Sequence, residues 1–106
     1  MHSLRKGKRG EQEFVNFLKS HGIDARRGRQ YKGTPDSPDV ISSLPYLHFE
    51  VKRTESISIY KVLEKTQSEC GNKIPVIAHR RSHKDWIIIL TAKDFLEHFI
   101  PPVRDE

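Results

Sequence analysis

One cysteine, Cys70, occurs in the 106 residues. That excludes an internal disulfide and any zinc site built from paired cysteines, and it fits a reducing compartment. By pattern Cys70 falls in mid-helix, a packed or surface thiol rather than a nucleophile. The six histidines are scattered and make no zinc-ligand motif with the single cysteine. Long apolar runs are missing too. No segment reaches the roughly 20 apolar residues of a membrane span, and no signal-peptide pattern opens the sequence. Internal repeats and low-complexity linkers are absent. The expectation is one cytoplasmic domain, 1–106, with a core over about 6–98, loose ends and no membrane partner.

Charge is what the sequence has in quantity. Charged residues make up 31% against 35% hydrophobic, with a formal net charge of +5. A modest core is possible, and the even spread of charge excludes a disordered chain with one charged tail. The basic excess gathers in "SLRKGKRG" at the start, "ARRGRQYK" at 25–32 and "HRRSHK" at 79–84. Such clusters suit a polyanion, nucleic acid first among them, although basic proteins that bind none are common.

The clearest element is "GEQEFVNFLKSHG", a helix whose apolar stripe is Phe14, Val15, Phe17 and Leu18 and whose stop is Gly22. "IDARRGRQY" reads as an exposed strand or extended segment, and "KGTPDSP" as a loop. "DVISSL" and "YLHFEVKR" read as strands. "SIYKVLEKTQSECGN" places Ile59, Val62 and Leu63 at helical spacing before Gly71 and Asn72 end it. "IPVIAH" and "DWIIILT" read as a hairpin of two buried strands around a basic turn. "AKDFLEHFI" is a last short helix and "PPVRDE" a loose tail. The order α-β-β-β-α-β-β-α predicts an α/β domain, one central sheet of about five strands flanked by helices.

Alternation along "YLHFEVKR" puts His48, Glu50 and Lys52 on one face and Phe49 and Val51 on the other. If the two strands pair across the turn at Leu44 and Pro45, Asp39 lies near the level of Glu50 and Lys52. Two carboxylates side by side raise each other's pKa unless a cation sits between them. The arrangement suggests a hard divalent ion with oxygen ligands, Mg²⁺ by default. Lys52 reaches the same spot and would stabilise developing negative charge or orient an attacking water. Together they suit hydrolysis of a phosphodiester. The plain alternative is a cross-strand salt bridge on a solvated face. Glu11 is a third acid, beside the buried stripe of the first helix, where its burial needs compensation. Its plain alternative is an acid favoured by the helix dipole.

Pro38-Asp39 followed by Glu50-Val51-Lys52 resembles the PD-(D/E)-x-K nuclease motif. "KGKRGEQEFVNFLKSHG" is similar to the opening of the archaeal-type Holliday junction resolvases, with Gly7 four residues before Glu11. "RRGRQYKGTPDSPDV", "HFEVKR", "YKVLEKTQ" and "IPVIAHRRSHKDW" resemble small phage resolvase-like nucleases of the same superfamily. The likeness runs from about Lys6 to Phe95. It implies a restriction-endonuclease-like domain with a central mixed sheet. It also implies cleavage of DNA phosphodiesters, in branched or junction DNA, dependent on Mg²⁺ with Mn²⁺ able to substitute. Asp39, Glu50 and the Val51 carbonyl would be metal ligands, Glu11 a further one often acting through water, and Lys52 the catalytic lysine.

Asp36 competes with Asp39, but Val40 and Ile41 after Asp39 fit an acid at a strand start. Related nucleases often carry a glutamine on the helix after the lysine strand, and here Lys65 and Gln67 are the nearest candidates. Phosphate contacts would come from Arg26, Arg27, Arg29, Lys32, Arg53, Arg80 and Arg81. Two symmetric cuts need two sites, so the resemblance implies a homodimer. Rival readings are a nuclease with another DNA target (nicking, flap or restriction-like) and a non-catalytic nucleic-acid-binding module on the same fold. Three acids facing a phosphate without a metal argue against the latter.

Overall fold

Helix α1 (His2–Ser20) starts well before the Gly10 boundary read from the sequence. The computed structural model describes residues 2–28 and 37–103. Phe14, Val15 and Leu18 are buried as the stripe requires, while Phe17 lies at its margin and stays partly exposed. The helix stops where Gly22 adopts φ +80°, a left-handed conformation that suits glycine. The Ile23 N–H then donates to the Leu18 carbonyl and the Gly22 N–H to that of Lys19, both at 3.0 Å. This Schellman closure turns Ile23 onto the core.

Five strands form one sheet in sequence order: β1 (Ala25–Arg27), β2 (Val40–Ser42), β3 (Leu47–Arg53), β4 (Ile74–Arg80) and β5 (Ile87–Ile89). All neighbours pair antiparallel except β3 and β4, which run parallel. A parallel pair needs a crossover, and helix α2 (Ile59–Glu69) supplies it. Helix α3 (Ala92–His98) follows β5, its first turn capped by the Thr91 hydroxyl, which accepts from the Asp94 N–H at 3.0 Å. The α/β order and the five-strand mixed sheet agree with the sequence reading.

The two faces of the sheet bury different things. Phe49 and Val51 join Phe14, Val15, Leu18 and Val76 in the core beneath α1. His48 and Glu50 point the other way, where α2 packs with Leu63 and Thr66 buried. The polar face of β3 is therefore covered rather than solvated: His48 is 2% and Glu50 6% exposed. β4 lies inside the sheet between β3 and β5, has both faces covered and is buried from Ile74 to His79.

Three local expectations are corrected. The second strand of the hairpin is not buried: β5 is a three-residue edge strand with Ile87 and Ile88 each 50% exposed. The buried stripe of α2 is Leu63 and Thr66, whereas Ile59 is exposed. Thr66 tolerates burial because its hydroxyl donates to the Val62 carbonyl at 2.8 Å. Cys70 is the C-cap of α2, not a mid-helix residue, and Gly71 leaves the helix at φ +60°.

Candidate active site

Asp39 stands just before β2, held from three sides. Its N–H donates to the Phe49 carbonyl at 2.9 Å, and its carbonyl accepts from the Gly28 N–H at 2.8 Å. Its Oδ2 accepts from the Val51 N–H at 2.9 Å, which ties the carboxylate to β3 beside Glu50. Gly28 is required for a different reason. A Cβ there would fall 2.0 Å from the Pro38 carbonyl oxygen, so the end of β1 approaches Asp39 closely only because that side chain is missing.

Glu50 Oε2 lies 3.9 Å from both Lys52 Nζ and Lys65 Nζ. Those separations are ion-pair contacts rather than hydrogen bonds. The carboxyl is pushed up to about 7, by burial first and then by the negative charge of Asp39, with the two lysines opposing. Asp39 is raised as well, chiefly by burial, against the Val51 N–H and the same two lysines. These acids are hard to ionise together, and a cation between them would relieve that strain.

Glu11, on α1, is raised by burial and then by Asp39, so it belongs to the same acidic field. Its Oε1, however, accepts from Arg27 Nε at 3.1 Å. Among the described residues no three His, Cys, Asp or Glu side chains come close enough to ligate one ion. The structure thus brings Asp39 and Glu50 together, with Glu11 behind them and occupied by an arginine. Two adjacent carboxylates with raised pKa, next to backbone carbonyls of β3, are a donor set that fits a hard divalent cation.

Both helix candidates are exposed, and of the two it is Lys65 whose Nζ reaches Glu50. Lys65 Nζ also lies 3.1 Å from Glu69 Oε2. Burial works against its charge, but Glu50 and then Glu69 more than offset it, so its pKa is raised. Lys52 is fixed through its backbone, whose carbonyl is 2.9 Å from His79 Nδ1.

The basic residues divide. Arg26 and Arg81 are exposed, Arg27 pairs with Glu11, and Arg53 and Arg80 both pair with Glu13. Arg29, Lys32 and the rival Asp36 lie outside the described residues. Sequence reasoning missed Gly28, Glu13, Glu69 and His79, each of which holds a predicted residue in place. No spacing rule marks them, because their partners come from other elements.

A family model described as archaeal Holliday junction resolvase (Hjc) matches residues 2–98 of the chain. Among solved structures, the chain is similar to the 1.6 Å structure of Hjc, a Holliday junction resolvase from the archaeal hyperthermophile Archaeoglobus fulgidus. Identity is 20% and the TM-score 0.56, over 77% of this chain and 73% of that one. At that identity the likeness speaks for the fold. A search of curated proteins returns no match.

Proposed function

This chain belongs to the archaeal Holliday junction resolvase family, and from that premise we propose that it is a divalent-metal-dependent endonuclease that cuts branched DNA. The observation that carries the reading is the buried Asp39–Glu50 pair with Lys52 and Lys65 on the same carboxylate oxygen. A structural salt bridge needs one acid and one base. Two mutually repelling carboxylates beneath a helix serve a cation better than they serve the fold.

Asp39 and Glu50 would hold the ion directly, with the Val51 carbonyl beside them and Glu11 contributing from behind, opposite Arg27. Bound there, Mg²⁺ (or Mn²⁺ in its place) would supply charge neutralisation and an acidified water. The chain's own groups do the rest. The Val51 N–H keeps Asp39 Oδ2 aimed at the site. Lys52, partly exposed at the end of β3, reaches the scissile phosphate, stabilises its developing charge and orients the attacking water. Lys65, anchored by Glu69, sets the orientation of Glu50. Arg26 and Arg81 are free to meet phosphates and give affinity rather than sequence preference.

Symmetric cleavage of a four-way junction needs two such sites, and we assign them to a homodimer. Ile88 on β5, Phe95 on α3 and Phe99 just after it line an apolar recess, with Leu96 exposed beside Phe95, and a second copy would fit there.

Cleavage of four-way, flap, nicked and linear duplex DNA in Mg²⁺ tests the reading. Paired symmetric nicks in the four-way substrate are the expected result. Equal cutting of linear duplex would make the chain a general nuclease. Binding without any cleavage would make it a DNA-binding module.

A further inference from the structure

Glu13 lies two residues after Glu11 on α1 but serves a different cluster. Its Oε1 accepts from Arg53 Nε at 3.0 Å and from Arg80 Nη1 at 2.6 Å. Arg53 ends β3 and Arg80 ends β4, and the parallel register sets them side by side. One carboxylate oxygen thus clasps the last residues of the two parallel strands. Arg80 is held again by its Nε, which donates to the Lys84 carbonyl at 2.5 Å. Glu55 stands 3.8 Å from Arg53 Nη1 and is itself fixed by the Ser82 N–H and hydroxyl, at 3.0 and 2.7 Å. Gly10 makes room for the clasp, since a Cβ there would fall 2.6 Å from Arg53 Cβ.

The guanidinium groups are not used up by these contacts. Each has five N–H donors, and the Arg53 and Arg80 side chains remain 25% and 32% exposed. Arg53 also lines an open recess of about 300 Å³ with Arg9, Thr54, Ser82 and the two acids. Left alone, two adjacent guanidinium groups repel, and each must give up rotamer entropy to meet a ligand. A shared carboxylate offsets the repulsion and orders both side chains in advance.

We propose, building on the DNA-nuclease reading above, that Glu13 is a positioning residue holding Arg53 and Arg80 as a preformed cradle for the phosphate backbone of the DNA. Simple charge counting gives the opposite expectation. Removing an acid from a phosphate-binding surface raises the net positive charge and should tighten binding.

The test is binding of a labelled four-way junction in Ca²⁺ across a salt series, for wild type, Glu13→Ala, Glu13→Gln and Glu13→Asp, with cleavage kinetics in Mg²⁺ alongside. The expected result for Glu13→Ala is binding about tenfold weaker despite the added positive charge, with the log–log salt slope reduced by about 1. The loss should fall on KM more than on kcat, and Glu13→Asp should restore part of it. Glu13→Gln, nearly identical in shape, should be weakened too, and it carries the test if the alanine variant does not fold. Variants that bind as tightly as wild type or more so, with an unchanged slope, would overturn the proposal and leave Glu13 a structural ion pair. Wild type that neither binds nor cuts DNA would overturn the nuclease reading and the cradle together, whereas failure of the variants alone removes only the cradle.

Discussion

The Glu50 carboxyl is buried beside a second carboxylate, Asp39, and burial is the larger cause of its raised pKa. Strand alternation already set it beside Asp39 and Lys52 in the sequence. What alternation does not reveal is which face a helix covers, so the burial that lifts Glu50 to about 7 became visible only with α2 in place. The consequence for stability has a definite sign. A carboxyl raised from 4.5 in the unfolded chain to about 7 in the fold binds its proton more tightly when folded. The contribution of Glu50 to stability is then fully present below about 4.5 and is lost as pH rises through about 7, a total on the order of 3 kcal/mol from this group alone. Glu50→Gln should therefore raise the melting temperature at pH 8 without metal, and leave it nearly unchanged at pH 4. Equal melting curves for the two proteins at pH 8 would show that ionising the buried Glu50 costs the fold nothing. In wild type, added Mg²⁺ should recover the same stability at pH 8.

Among the elements, β1, β2 and α2 decide whether the acids meet. The strand order was legible because each strand has its own apolar run and turn. The phase of α2 was not. Thr66 counts as polar in any stripe, yet its hydroxyl is satisfied within the helix and its side chain packs inward. That choice of face is what brings Lys65, rather than Gln67, to Glu50. Gly28 is a similar case: only the close approach of β1 to the Pro38–Asp39 segment explains it. Gly28→Ala must displace backbone rather than a flexible side chain. It should cost about 1–3 kcal/mol of stability and reduce cleavage more than DNA binding, because it moves Asp39 and leaves Arg53, Arg80 and Arg81 in place. Denaturant unfolding and a cleavage assay would measure both, and a variant with wild-type cleavage would show that Asp39 has slack.

At the scale of the whole molecule, the charge clusters in the sequence pointed correctly to a basic protein but not to how its charges are used. Arg27, Arg53 and Arg80 are each matched to a glutamate of α1. A linear count of basic residues cannot register such pairing, since the partners come from distant parts of the chain. The apolar residues of β5 and α3 were legible as apolar and misread as wholly internal on β5. Their exposure supports the dimer assignment. Leu96→Glu places a charge on that face and should give a monomer in light scattering. It should also convert paired junction cuts to single nicks, with the monomer still folded. A variant that remains dimeric would move the interface elsewhere.

The most direct measurement compares wild type with Asp39→Asn on one four-way junction, scoring binding and cleavage in Mg²⁺ and in EDTA. Asparagine keeps the size of the side chain and an oxygen for the Val51 N–H, but removes the charge that would hold the ion. The predicted result is wild-type cleavage that vanishes in EDTA, and a variant that binds the junction yet cuts it at least about 100-fold more slowly. Cleavage that survives EDTA, or an Asp39→Asn protein as active as wild type, would contradict a metal site built on Asp39 and Glu50.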